Sequence, residues 1–314
     1  MNLQQLRYIQ EVARRGFSVS EAALALHTSQ PGVSRQIRLL EDELGVEIFV
    51  RRGKKLLCTT DAGHQILDSI GKALTELRNL RRIGEEFSQE GAGSLTVATT
   101  HTQARYALPQ AVHAFRAKFP GVHLALRQGS PEQLSQWVLN DEADLAIATE
   151  SLPEHKQRLV LLPGYQWHHL VIAPTQHPIH KQGHLTLASL VEYPLVTYDA
   201  AFTGRRCIDR AFAAHELQPH IVLSAIDADI IKTYVKLGLG VGIVACVAFD
   251  PVADKGLRAI DAAHLFETCT TRIGVRTGAW LRSHTYAFIE MFAPHLTRKV
   301  VEATLAGHGE DAGL

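Results

Sequence analysis

The stretch SVSEAALALHTSQPGVSRQIR, from Ser18 to Arg38, decides how this chain reads. Ser18 and Glu21 have the capping-box spacing, a hydroxyl at the N-cap and a carboxylate three residues on. A short helix is therefore expected over residues 19–27, with Ala22, Ala23, Leu24 and Leu26 turned inward. Thr28-Ser29-Gln30-Pro31 restarts the chain: Ser29 can cap, and Pro31 is tolerated in a first turn, where amide hydrogens lack helical partners. On this second helix Val33, Ile37 and Leu40 recur at core spacing. Gln30, Ser34 and Arg38 share a different face, with Pro31 and Arg35 beside them. Two short helices around a tight turn, the second presenting amides and guanidinium groups, make a helix-turn-helix. Arginine and glutamine can each pair two hydrogen bonds with base edges in the major groove. Gln30, Pro31, Ser34, Arg35 and Arg38 are the candidate DNA readers.

Outward from this stretch, Gly45 ends the second helix, and residues 46–50 and 56–59 predict the two sides of a hairpin. Its tip carries Arg51, Arg52, Lys54 and Lys55, cations suited to phosphates, which supply affinity rather than sequence choice. A solvated helix face or a charged turn is common by itself; the order of the pieces is what specifies. The 314-residue chain has zero formal net charge, so it is no polycation, yet residues 1–59 hold nine Lys/Arg against six Asp/Glu. A local basic patch suffices for nucleic acid. Cys58, Cys207, Cys246 and Cys269 are scattered and form no CxxC pair, which gives neither a disulfide framework nor a zinc signature and fits a reducing cytoplasm. The amphipathic N-terminus is no signal peptide, and no long apolar run predicts a membrane span.

Residues 60–90 form one helical pattern without proline. Leu67, Ile70, Leu74 and Leu77 follow the steps of a coiled-coil seam, continued one position over by Leu80, Ile83 and Phe87, so pairing of two copies is expected. The competing reading packs this helix on its own sensor domain. From residue 93 onward β-rich runs alternate with helical stretches, the pattern of an α/β sheet with parallel strands. Thr100, Thr102 and Gln103, then Thr149, then the segment Phe202–Arg205 lie at strand-to-helix junctions. Ligands of α/β folds bind beyond strand carboxyl ends, where helix N-termini expose amide hydrogens. Neutral donors there suit a small anion or zwitterion, although a single threonine at such a junction is ordinarily a helix cap.

Catalytic and metal readings find little. No GxSxG, HExxH or P-loop occurs, and Gly238, Gly240 and Gly242 follow a helix and precede a strand, the reverse of a dinucleotide site. The 17 histidines, His168-His169 and His177/His180 among them, show no metal-partner spacing. No catalytic residue, metal or cofactor is expected. A transport-type binding protein would explain the α/β part alone.

The segment Ala22–Phe49, centred on Gln30-Pro31-Gly32-Val33-Ser34, and the run Thr60-Asp61-Ala62-Gly63 resemble the signature of LysR-type transcriptional regulators. The similarity runs from Leu3 to Arg298, through the strings at 98–109, 127–131, 147–150, 193–198, 202–205, 227–242 and 292–298, and points to the branch governing sulfur assimilation and cysteine biosynthesis. The resemblance implies a winged helix-turn-helix at 1–59, a linker helix at 60–90, an effector domain of two α/β lobes (periplasmic-binding-protein-like, type 2) at 91–305, and a tail at 306–314. It implies a cytoplasmic activator, a homodimer or homotetramer, acting on double-stranded promoter DNA with RNA polymerase. The implied effector is N-acetylserine, formed from O-acetylserine, with sulfate able to take the anion site. Its contacts carry over to Thr100, Thr102, Gln103, Thr149 and Thr203, and Tyr165 and Trp167 match positions tied to inducer response. Gly164 stands where the family usually has cysteine, and Asp199 brings a carboxylate ahead of Phe202-Thr203-Gly204-Arg205. A regulator of sulfonate use, sensing another sulfur metabolite, fits the same residues.

Overall fold

Asn2 caps the first helix, α1 (Leu3–Arg14), its side chain accepting from the Gln5 amide. In α2 (Val19–Ala25) Ser18 accepts from the Glu21 amide, and in α3 (Gln30–Leu44) Ser29 accepts from the Gly32 amide. Gly45, at φ 68°, stops α3 in the left-handed conformation that a residue without Cβ adopts freely. The computed structural model describes residues 1–53, 55–88, 93–149 and 158–307. Ile9, Val12, Ala22, Ala23, Val33, Ile37, Leu40, Ile48 and Phe49 form the core of this first part. Leu24 does not join them: it is 76% exposed, because two residues along a helix is more than half a turn from Ala22.

The hairpin pairs β1 (Phe49–Arg52) with β2 (Lys55–Thr59) and starts later than residue 46, since the Val46 amide still donates back to the Glu41 carbonyl. The long helix α4 (Asp61–Ser88) begins on the Thr60-Asp61-Ala62-Gly63 run. The Thr60 hydroxyl donates to the Glu47 carbonyl (2.7 Å) and accepts from the Gly63 amide (2.8 Å). A Cβ on Gly63 would lie 2.0 Å from the Ile48 carbonyl oxygen, so only glycine lets the helix start press on the hairpin. Ile70 and Leu74 of the predicted seam are buried in the core of their own N-terminal part, while Leu80 and Phe87 are 65% and 81% exposed. The first half of the stripe therefore serves this chain's own packing.

The chain divides into two compact units, one of Met1–Phe87 with Gly278–Trp280 and one of the remainder. The second unit runs through β3 (Gly93–Thr99), α5 (Pro109–Lys118), β4 (Val122–Gln128), α6 (Pro131–Leu139), β5 (Leu145–Thr149) and β6 (Leu159–Trp167). It continues through β7 (His169–Pro174), α7 (Leu187–Leu190), β8 (Leu195–Tyr198), α8 (Thr203–Ala214), β9 (Ile221–Ala225), α9 (Ala228–Lys236) and β10 (Val241–Ala245). It closes with β11 (Leu257–Asp261), β12 (Cys269–Arg276), α10 (Ser283–Phe292) and α11 (Arg298–Leu305). Two five-stranded sheets result, ordered β4-β3-β5-β12-β6 and β11-β7-β10-β8-β9. In each, three neighbouring strands are parallel, and the strands that follow on are antiparallel. This is the expected pair of α/β lobes. The chain passes between them twice, at His168 and between Asp261 and Cys269.

The helical pattern over residues 105–118 resolves into a π-helical turn (Gln103–Ala107) and α5, because Pro109 cannot continue a helix entering from Leu108. No described helix is long and apolar enough to cross a membrane.

Candidate ligand cleft and nucleic-acid interface

The carboxyl ends of β3 and β5 in one lobe face those of β8 and β10 in the other, and a cleft of about 450 Å³, its solvent mouth included, lies between them. Thr100, Thr102, Gln103, Pro131, Thr149 and Trp167 line one side; Tyr198, Phe202, Gly204, Ile226 and Ala245 line the other. The N-termini of α6 and α8 and the π-helical turn reach it through Pro131, Gly204 and Gln103. Among the described lining residues none carries a charge, so the field in the cleft comes from amide dipoles and neutral donors.

Gln103 is the best anchored of these donors. It is 2% exposed; its Nε2 donates to the Thr271 hydroxyl (3.2 Å) and to Thr149 Oγ1 (3.5 Å), and its Oε1 accepts from the Tyr165 hydroxyl (2.8 Å). Tyr165 thus stands behind the cleft wall and orients Gln103, and burial pushes its phenol up, which keeps it a donor. Trp167 is on the wall itself. Opposite, the Tyr198 oxygen accepts from the Ala245 amide (3.0 Å) and bonds Thr102, with burial raising its pKa well above the ordinary phenol value.

His169 is fully buried, and its Nε2–H donates to the Gly204 carbonyl (3.1 Å), which fixes the tautomer. Desolvation lowers its pKa to about 4, so the imidazole is neutral. Its ring meets Trp167 edge-on with centroids 5.0 Å apart. Asp199 does not enter the cleft: its Oδ1 accepts from the Ala201 amide (3.0 Å) and closes its own turn. Thr203 opens α8 next to Gly204, but its side chain lies outside the described residues, as Lys54 does.

Tyr198 and Ala245 escaped the sequence reading; they end β8 and β10, and the same junction rule applied to those strands would have found them. Thr271 sits mid-strand on β12 and carries no such signal.

Near the cleft, Asp229 on α9 joins the lobes. Its carboxylate takes Arg105 Nε (2.7 Å), the Tyr106 hydroxyl (2.6 Å) and His101 Nε2 (3.4 Å). Burial by itself would raise this carboxyl, but Tyr106, His101, Lys232 and Arg105 together hold it below its ordinary value. Lys232 Nζ donates to the Tyr106 oxygen (2.7 Å), the Ala248 carbonyl (2.9 Å) and Asp254 (3.1 Å). His101, Asp227 and Asp229 bring ligand-type atoms within 4.8 Å of one another, but Asp227 caps α9 and Asp229 is already neutralised, so we read the group as a contact between lobes.

In the first unit Gln30, Pro31, Arg35 and Arg38 are exposed along α3 and Ser34 is half-buried. Arg51 behaves differently from the other predicted tip cations. Its guanidinium pairs with the buried Glu41, whose Oε1 also accepts from the Ile48 (2.9 Å) and Phe49 (3.3 Å) amides. Arg51 fastens the hairpin to α3, while Arg52 and Lys55 remain exposed.

Comparison with known proteins bears on both units. Residues 3–64 match the bacterial regulatory helix-turn-helix protein, lysR family, and residues 88–297 match the LysR substrate binding domain. The HTH-type transcriptional regulator CysB of Burkholderia cenocepacia is 51% identical over the whole of both chains. The regulator SsuR of the same organism is 53% identical over 98% of each. The crystal structure of the cofactor-binding domain of the Cbl transcriptional regulator superposes with a TM-score of 0.66 at 41% identity, covering 69% of this chain and 95% of that one. The chain belongs to the LysR family of DNA-binding transcriptional regulators, which leaves no room for a transport-type binding protein.

Proposed function

We propose that this LysR-family regulator activates genes of sulfur assimilation and cysteine biosynthesis, with N-acetylserine or sulfate held between its lobes. The observation that carries this reading is convergence: two helix N-termini, a π-helical turn and the side chains of Thr100, Thr102, Gln103 and Thr149 face one cleft whose described lining bears no charge. Such a site attracts a carboxylate or sulfate through fixed dipoles, without the cost of burying a counter-charge. Trp167, Phe202, Ile226 and Ala245 offer apolar surface to an acetyl group. Thr203 adds to the anion end through α8, and Tyr165 acts through Gln103. O-acetylserine enters as the precursor of the effector.

Promoter DNA meets Gln30, Pro31, Ser34, Arg35 and Arg38 on α3, with Arg52, Lys54 and Lys55 on backbone phosphates. In this reading the chain divides functionally at residues 59, 90 and 305, acts as a homodimer or homotetramer in the cytoplasm, and passes its signal to RNA polymerase. The ligand must prefer the closed lobes, since equal affinity for both arrangements shifts no equilibrium.

The near-equal identities to SsuR and CysB support a second reading, a regulator of sulfonate use that answers to another sulfur metabolite. Calorimetry on the full chain with N-acetylserine, O-acetylserine and sulfate in turn, paired with promoter footprinting, separates the two. Saturable heat and an altered footprint with N-acetylserine are expected. Sulfate binding without any response to N-acetylserine favours the second reading, and binding of none of the three overturns the first.

A further inference from the structure

Cys207 and Cys269 lie 62 residues apart in sequence, yet their sulfurs are 3.3 Å apart. Cys207 is on the second turn of α8 in one lobe, and Cys269 opens β12 in the other, directly across the sheet from Trp167. Both thiols are buried, and together with Trp167 and Ala245 they form the apolar cluster beside the cleft, where the chain passes between lobes. A disulfide needs the sulfurs to close to about 2.05 Å, a movement of roughly 1.3 Å within a cluster that already holds them in contact.

The hydrogen bonding distinguishes the two sulfurs. Arg210 Nη2 donates to Cys207 Sγ at 3.4 Å, and the Cys269 thiol donates to the same atom. Arg210 also pairs with Glu267 (2.7 Å), two residues before Cys269, so its cation sits over the junction. Cys207 is therefore the sulfur whose thiolate is stabilised, and the thiolate is the nucleophile in disulfide exchange.

The geometry points to a redox-responsive pair: Cys207 and Cys269 form a disulfide that staples the two lobes beside the cleft when a low-molecular-weight disulfide is in excess. The thiols are 1% and 0% exposed in the packed arrangement, so the exchange takes place when α8 parts from β12. Cys207 then gives its proton to solvent and attacks one sulfur of the incoming disulfide, and the sulfur–sulfur bond of that molecule breaks with release of one thiolate. Cys269, deprotonated in turn, attacks the Cys207 sulfur of the mixed disulfide and expels the second thiolate. The two cysteines lose two electrons and two protons, and the small disulfide becomes two thiols. Excess thiol reverses both steps. The staple fixes α8, whose N-terminus reaches the cleft, to the strand that carries Thr271 and thereby Gln103. Cys246, half-buried and packed on the same cluster, is the thiol whose competition has to be tested.

The test uses the full-length wild-type chain, equilibrated in glutathione buffers from fully reduced to fully oxidised, then acid-quenched, unfolded, alkylated and peptide-mapped without reduction. A peptide pair joined through Cys207 and Cys269 is expected to grow along a single two-electron curve and to vanish with dithiothreitol. Cys246→Ser is expected to leave that curve in place, and Cys207→Ser to abolish it while Cys269 stays alkylated. If both cysteines are alkylated across the whole buffer range in wild type, the pair is only packed, and linkage of Cys246 to either one equally overturns the assignment. The wild-type map needs no variant to fold, and its outcome is independent of which effector the cleft takes.

Discussion

At the scale of single residues, Thr100 and His169 show how differently two buried polar groups work. Thr100 follows the last residue of β3 and lines the cleft, whereas the Thr149 oxygen already accepts from Gln103, so Thr100 is the cleaner probe of the ligand. Thr100→Val keeps the shape and removes the hydroxyl. Losing one hydrogen bond to a charged group costs about 1.5–3 kcal/mol, or roughly 10- to 150-fold in Kd. Calorimetry with sulfate and with N-acetylserine should show that loss while the melting temperature holds, and wild-type affinity in the variant would place the anion elsewhere. His169 affects stability instead. Its pKa is about 4 in the folded chain against 6.5 in the unfolded one. As pH falls through 6.5 the unfolded chain takes up a proton that the folded chain refuses until about pH 4. Stability is therefore complete above pH 6.5 and falls across that window by roughly 1.4 kcal/mol per unit from this group. Urea melts of His169→Gln, which keeps a donor for the Gly204 carbonyl, should give a flatter pH profile than wild type between pH 6.5 and 4.5. Parallel profiles would mean that the imidazole is solvated.

At the scale of elements, the proposed reading divides DNA binding between α3 and the hairpin. Arg35→Ala or Gln30→Ala should remove about 1–3 kcal/mol of preference for the promoter over scrambled sequence. Arg52→Gln or Lys55→Gln should weaken binding to both alike and flatten the salt slope by about 0.9 for each phosphate no longer neutralised. Arg51→Gln belongs to neither class. It strands the buried Glu41, so its main effect should be on the thermal melt, and an unchanged melt with a flattened salt slope would return Arg51 to the phosphate contacts. The caps, the turn and the exposed face of α3 were legible because each rests on a local rule: Ser18, Ser29 and Gly45 act where their spacing places them. Arg51 was not legible, because its partner ten residues away is chosen by packing. The inward half of the α4 stripe was not legible for a related reason, since a coiled-coil seam and a core-facing stripe share one spacing, and only the fold decides that Ile70 and Leu74 go inward. Strand-end threonines announced the cleft, but Thr271 and Tyr165, which hold Gln103 from behind, come from antiparallel strands that no junction rule marks.

At the scale of the whole sensor, the question is what holds the lobes together before any ligand arrives. The Asp229 cluster answers it with contacts from His101, Arg105 and Tyr106 of one lobe to Asp229 and Lys232 of the other. The Arg105 pair is exposed and worth little by itself. The Tyr106 oxygen matters more, because it accepts from Lys232 and donates to Asp229 at once, so the phenol is the node through which the two charges couple. If closure is partly populated without ligand, apparent affinity scales with the closed fraction. Tyr106→Phe and Asp229→Asn should then each weaken sulfate binding by about 3- to 10-fold, although neither residue lines the cleft. Because both act on one network, the double variant should lose little more than either single one. Thr100→Val, which in the proposed reading removes a hydrogen bond to the ligand itself, should add its full effect to either. Calorimetry on the four combinations reads this directly. Affinities that multiply through for Tyr106→Phe with Asp229→Asn would mean two independent contacts, and unchanged affinity in both singles would mean that the lobes close without this latch.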